Sequence, residues 1–144
     1  MDTIQQFSVF VENQQGSMAE LTRLIANAGI DLRSLSLADT RDFGILRIIV
    51  DKPEVAADLL TDHGWTYKVT SVIAVKVPDT PGGVATMLEM LDKANVNVEY
   101  MYAFVNRVPG TAVTVLRVDN DFAAIGALTA GGIELLSAEE AYGI

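Results

Sequence analysis

Apolar and polar positions alternate along Phe7, Val9 and Val11, and then the spacing changes, with Met18, Leu21, Ile25 and Ala28 recurring at intervals of three and four. The first pattern is that of a strand half-buried on a sheet, the second that of an amphipathic helix. Gly29 ends the helix. Ile30 to Ala38 reads as a second strand and Asp39 to Phe43 as a turn; Ile45 to Val50, ILRIIV, is apolar enough for a strand at the centre of a sheet. Pro53 opens a second helix carrying Val55, Ala56, Leu59 and Leu60, Gly64 stops it, and Trp65 to Thr70 makes a fourth strand. The same order then recurs: a strand at Val72 to Val77, a helix at Gly83 to Ala94, strands at Val96 to Asn106 and Thr111 to Val118, a helix at Phe122 to Thr129 and a last strand at Ile133 to Leu136.

The recurrence extends to individual residues. Phe7, Val9, Val11 and Gly16 find Ile73, Val75, Val77 and Gly82 at one constant offset; Val50, Asp51 and Gly64 find Val118, Asp119 and Gly132 at an offset two residues longer. The extra pair falls around Val108-Pro109-Gly110, a turn, where related modules tolerate insertion. Residues 1–71 and 72–144 therefore read as two copies of a βαββαβ module. Right-handed crossovers favour an antiparallel sheet in the order 4-1-3-2 with both helices on one face, a ferredoxin-like α+β arrangement. A module of this size with one open sheet face is marginal alone, so the halves are expected to associate.

The open face has a character of its own. Along VNVEYMYAFV, strict alternation sets Val98, Tyr100, Tyr102 and Phe104 on one side and Met101, Ala103 and Val105 on the other; the first half sets Leu32, Ser34, Ser36 and Ala38 against Leu35 and Leu37. Leu35 and Met101 then face the helices and the tyrosines the open side, a phase that a bulge would reverse. An exposed aromatic surface predicts a sheet-to-sheet homodimer. The competing reading is that the tail SAEEAYGI folds back over it, with Ser137 capping a short helix that carries Glu139 and Glu140 in its first turn.

Composition narrows the function. The 144 residues are 50% hydrophobic and carry a net charge of −9, with only ten Lys and Arg. That charge argues against nucleic-acid and anionic-membrane partners. Cysteine is absent, which removes disulfides and thiol chemistry and fits a reducing compartment. No apolar run approaches a membrane span and MDTIQQF lacks the character of a signal peptide, so the cytoplasm is expected. The one histidine, His63, precedes Gly64 at a helix end and is expected to meet the last helix carbonyls rather than act as a base. The serines have no plausible histidine partner, a metal would depend on carboxylates alone, and no cofactor motif occurs. The chain reads as non-catalytic.

What remains is the pair of turns ENQQGS and PDTPGG, each running into a helix. The first amides of a helix lack internal acceptors and carry partial positive charge, and glycine admits a ligand close to the backbone. Either turn could equally be shaped and capped by its own Ser17, Asp79 or Thr80. Their duplication favours a carboxylate ligand, with Asn13 and Asp79 near enough to accept from an ammonium.

The whole chain resembles a tandem ACT-domain protein. Each half has a strand, a loop close to Asp-x-x-Pro-Gly, a helix, and a strand beginning Gly-Ile-Asp-Leu (residues 29–32) or Asn-Val-Asn-Val (residues 95–98). The second loop keeps Asp79, Pro81 and Gly82; the first keeps Gly16 alone. The resemblance implies regulatory binding of a small molecule, most often an amino acid, between two modules laid side by side. One site would join Asn13, Gly16, Ser17 and Met18 to Asn97 and Val98, and its mate would join Asp79, Pro81, Gly82, Gly83 and Val84 to Asp31 and Leu32. With no residues left for a catalytic unit, it also implies that the protein acts on a partner, or simply senses or carries its ligand. The alternative reading is a regulatory subunit that docks onto an amino-acid biosynthetic enzyme.

Overall fold

The computed structural model describes residues 3–39, 42–105 and 109–143. Part of the expected turn at Asp39 to Phe43, Val108 of the two-residue insertion and the Asn106 end of its strand lie outside the described residues. The first half holds strands β1 (Ile4–Glu12), β2 (Leu32–Asp39) and β3 (Phe43–Val50) with helices α1 (Ser17–Asn27) and α2 (Pro53–Asp62). A strand shared by both halves follows, β4 (Tyr67–Pro78); the second half adds α3 (Gly83–Lys93), β5 (Val98–Ala103), β6 (Thr111–Val118), α4 (Asp121–Ala130), a short β7 (Glu134–Leu135) and α5 (Ala138–Gly143). The two modules are of the βαββαβ type, built on antiparallel strands. Ser17, Leu21 and Ile25 form the buried stripe of α1 at helical spacing, and Leu21 and Ile25 meet Phe7, Val9 and Val11 of β1 and Leu46, Ile48 and Val50 of β3. Met87 and Leu91 of α3 and Leu128 of α4 do the same over Ile73, Val75 and Leu116.

The two expected strands at residues 65–70 and 72–77 are one. Tyr67 to Val72 of β4 pair with β1, and Ile73 to Pro78 pair with β6, so the change of partner falls inside a single strand. The six-strand path β2-β3-β1-β4-β6-β5, with β7 beside β4, preserves the 4-1-3-2 order in each half.

The continuous sheet curls until its two helix-free faces meet. Ile4 and Ile49 from the first half share a buried cluster with Phe104, Val113 and Val115 from the second, and Val72 and Ala74 of β4 complete it. Three polar contacts are made inside this layer. The Tyr102 hydroxyl donates to Gln6 Oε1 at 2.6 Å, Gln6 Nε2 donates to the Tyr100 hydroxyl at 2.6 Å, and Ser34 Oγ donates to the Ala103 carbonyl at 2.9 Å. At the far edges the Val105 amide reaches the Arg33 carbonyl at 3.4 Å, bringing β5 to β2.

Two expectations about this face are corrected. The tyrosines do point from the helix-free side, with Leu35 and Met101 opposite Ile48 and Leu116 of the helix-side cores. However, the register slips between Leu32 and Ser34 and, at the equivalent place, between Val98 and Tyr100. These bulges turn Leu32 and Val98 toward the helices, where strict alternation had placed them with the tyrosines. The aromatic surface that suggested a homodimer is also occupied within the chain, by the other half's open face and by the tail. Ser137 Oγ accepts from the Glu140 amide at 3.1 Å while Glu140 Oε1 accepts from the Ser137 amide at 3.2 Å, a reciprocal cap that starts α5. Ala141 is then fully buried in the inter-sheet layer and the Tyr142 hydroxyl accepts from the Gln5 amide.

Candidate ligand-binding site

The two glycine-marked turns are superimposable in their hydrogen bonding. Gln14 and Thr80 donate their amides to the carbonyls of Glu12 and Pro78, both at 2.9 Å. Ser17 and Gly83 donate to Gln14 and Thr80, and Glu20 and Thr86 close the first helical turns onto Gly16 and Gly82. Each helix starts from a left-handed glycine, Gly16 at φ 90 and Gly82 at φ 88, a conformation that costs a side-chain-bearing residue about 1–2 kcal/mol.

Neither helix has a side-chain cap. By contrast, Asn120 caps α4 by accepting from the Ala123 amide at 3.0 Å. Ser17 is buried and does not cap; Asp79 and Thr80 stay exposed. The amides of Ser17 and Gly83 are used within their turns, whereas those of Met18 and Ala19, and of Val84 and Ala85, are the orphan donors of a helix start. Gly83 is sterically required as well, because a Cβ there would run into the Pro78 carbonyl oxygen.

A cavity of about 560 Å³ opens at the first turn and reaches Ser17. Its walls carry Phe10, Phe43 and Trp65, and its polar groups include Glu12 and Glu20. Phe10 and Phe43 are 40% and 50% exposed, high for phenylalanine, and they stand where a ligand would cover them. Gln14 Nε2 donates to Glu12 Oε2 at 2.6 Å, which fixes that carboxylate at the mouth. The aromatic wall and the two carboxylates were not singled out from the sequence. Phe10 breaks no pattern there, and Phe43 and Trp65 sit at strand ends whose convergence only the folded sheet creates.

The remaining expected site residues lie at the starts of β2 and β5. Asp31 donates its amide to Asp51 Oδ1 at 2.9 Å, and Asn97 donates its amide to Asp119 Oδ1 at 3.0 Å, another pair related by the repeat. The Asp31 carboxylate pairs with Arg33 at 3.1 Å, and Leu32 and Val98 pack on their own helix-side cores. Asp31, Leu32, Asn97 and Val98 are thus held within their own modules, and the first-turn cavity takes its lining from the first half. At α2, His63 Nδ1 lies 3.0 Å from the Leu59 carbonyl, the helix-end role its position implied. Among the described residues no helix is long and apolar enough to cross a membrane.

A family model described as an ACT domain pair matches residues 2–139. A Bacteroides thetaiotaomicron protein of known crystal structure is 35% identical over 99% of this chain and 97% of its own, with a TM-score of 0.92. The ligand-free regulatory subunit of aspartate kinase from Thermus thermophilus, 18% identical over 92% of both chains, shares the fold with a TM-score of 0.64. The corresponding subunit from Thermus flavus, 16% identical over 92% of this chain and 94% of its own, has a TM-score of 0.61. No protein of curated function matches the chain. With the duplicated turns, the repeated βαββαβ order and a family match over nearly its whole length, the chain belongs to the ACT family as an ACT domain pair.

Proposed function

We propose that this ACT domain pair is a non-catalytic regulatory protein that binds a small amino acid at the start of α1, with the start of α3 as its pseudo-symmetric counterpart. The reading rests on the first-turn cavity, which sets an uncapped helix start beside two carboxylates and three aromatic rings. A ligand carboxylate has the Met18 and Ala19 amides to accept from. Its ammonium has Glu12, Glu20 and the side-chain oxygen of Asn13, and its side chain has Phe10, Phe43 and Trp65. At the second turn Asp79 takes the place of Asn13, with Pro81, Gly82, Gly83 and Val84 around it. Because Asn97, Val98, Asp31 and Leu32 are tied to their own halves, the facing module that completes each site comes from a second copy of the chain, in a homodimer. The surroundings of that dimer would be the cytoplasm.

The test is a titration of the twenty amino acids followed by thermal unfolding and by the fluorescence of Trp65, the one tryptophan of the chain. A ligand at 100 times its dissociation constant adds about 2.7 kcal/mol. Failure of every amino acid to move both signals would end the proposal.

A second reading, docking onto a biosynthetic enzyme, is favoured by Leu35 and Leu37, 41% and 54% exposed on edge strand β2, and by Phe122, 80% exposed on α4. It is also in keeping with the likeness to regulatory subunits over 92% of both chains. Stoichiometric co-purification with an enzyme whose activity changes when the protein is added separates it from ligand sensing alone.

A further inference from the structure

Where the curled sheet stays open, a crevice of about 280 Å³ separates the two modules. Arg47 and Lys68 reach it from the first half, Arg117 and Tyr100 from the second. The pairing explains the convergence: Ser8 of β1 lies opposite Arg47 on one side and Lys68 on the other, and Arg117 lies opposite Tyr100. In a chain of net charge −9 with ten Lys and Arg, three of the ten line one small crevice. Like charges gathered in this way repel and raise the free energy of the empty state.

The donors there outnumber the acceptors. Among the described residues no carboxylate pairs with Arg47 or Lys68. Arg47 stacks on the Tyr100 ring with its Cζ 3.8 Å from the centroid, and its buried Nε has no hydrogen-bond partner. Tyr100 and Ser8 each accept from Gln6 Nε2, which leaves both hydroxyl hydrogens to donate. Only Arg117 is answered, by Glu99 at 3.3 Å and the Ser71 carbonyl at 2.9 Å. Three cations against Glu99 leave two positive charges facing the site, beside hydroxyls that each retain a hydrogen to donate.

We infer that this crevice binds a dianionic phosphoryl group, either free phosphate or the head of a small phosphorylated metabolite, and that the group bridges the two modules. Two net positive charges match a dianion better than a monocarboxylate, and guanidinium and hydroxyl donors suit its tetrahedral oxygens. The site is separate from the amino-acid cavity but adjoins it, since Phe10 lines both.

The test is thermal unfolding of the intact protein at pH 8 with added sodium phosphate, against sodium chloride and sodium succinate at equal ionic strength and without any amino acid. A saturable rise in unfolding temperature with phosphate is expected. Lys68→Met, which removes an exposed and unpaired ammonium, should weaken the apparent affinity by roughly tenfold and leave the phosphate-free unfolding temperature unchanged or slightly higher. Arg47→Met, which keeps an apolar stem against Tyr100, should weaken it at least as much. Glycerol 3-phosphate distinguishes the two sources of the group: tighter binding than inorganic phosphate assigns a carried phosphoryl group, weaker binding the free ion. An effect no larger than that of chloride or succinate, or one undiminished in Lys68→Met, overturns the inference. The amino-acid titration read by Trp65 is independent of that result.

Discussion

Gln6 and Tyr102, 96 positions apart, are joined by a hydrogen bond of 2.6 Å from the phenol to the carboxamide oxygen, in the layer where the two modules meet. Gln6 is fully buried, yet both ends of its amide are satisfied, the other end by Tyr100. A buried polar bridge of this kind costs little when complete and a good deal when broken. It also admits only one register between the two sheet faces.

Replacing Tyr102 with Phe leaves the Gln6 oxygen buried without a donor and should destabilise the protein by about 1–3 kcal/mol. Gln6→Leu strands both phenols and should cost at least as much. Urea unfolding monitored by circular dichroism measures either effect.

The Tyr102 hydroxyl is also held neutral well above the usual tyrosine range, by burial first and by Tyr100 next, with Arg47 opposing. A folded-state value raised above the unfolded one gives stability that is complete below the unfolded value near 10 and declines as the pH rises beyond it. Wild type should therefore lose stability above about pH 10 more steeply than Tyr102→Phe, as urea midpoints between pH 8 and 11 would reveal.

At the other end of the scale, the Glu140 carboxyl is held below its usual value by the Ser137 amide, then by the Ser137 hydroxyl, with Lys76 adding to both. A lowered folded-state value gives stability that is present above the unfolded value and lost as the pH falls through the folded one. Glu140→Gln should thus be less stable than wild type at neutral pH, and the two should converge in acid below the ordinary carboxylate range. Equal denaturation midpoints at pH 7 would contradict the role given to this cap.

The glycines of the turns should separate by mechanism. Gly83→Ala drives a methyl into the Pro78 carbonyl and should cost about 2 kcal/mol or more, whereas Gly16→Ala meets open space and should cost only the left-handed penalty of about 1–2 kcal/mol. Gly126→Ala, within α4 and with nothing near its Cβ, should instead stabilise by up to about 1 kcal/mol. Thermal unfolding of the three variants ranks them.

Ala141 anchors the tail in the inter-sheet layer at 0% exposure. Ala141→Asp places a carboxylate among apolar side chains and should detach α5, costing about 3 kcal/mol or more. Binding of a hydrophobic dye and a change in oligomeric state on size exclusion would report the uncovered face.

The local elements and the duplication were legible in the chain because they depend on neighbours in sequence: alternation along Phe7, Val9 and Val11, helical spacing from Leu21 to Ile25, and glycines at Gly16 and Gly82 where φ is positive. Strand order also followed, since handed crossovers leave few ways to arrange two βαβ crossovers. The bulges before Ser34 and Tyr100 were not legible, because one slipped residue reverses a side chain's face without altering composition. Nor was the continuity of β4, which depends on β1 and β6 claiming successive lengths of one strand. The tertiary structure alone decided what covers the open faces. Burial rewards any apolar partner, and it was the curl of the shared sheet that made the partner the chain's own other half. That same curl brought Arg117 to one crevice with Arg47 and Lys68, while pairing of β1 with β3 and with the segment leading into β4 brought Phe10, Phe43 and Trp65 to one cavity, in both cases from positions with no common signature in the sequence.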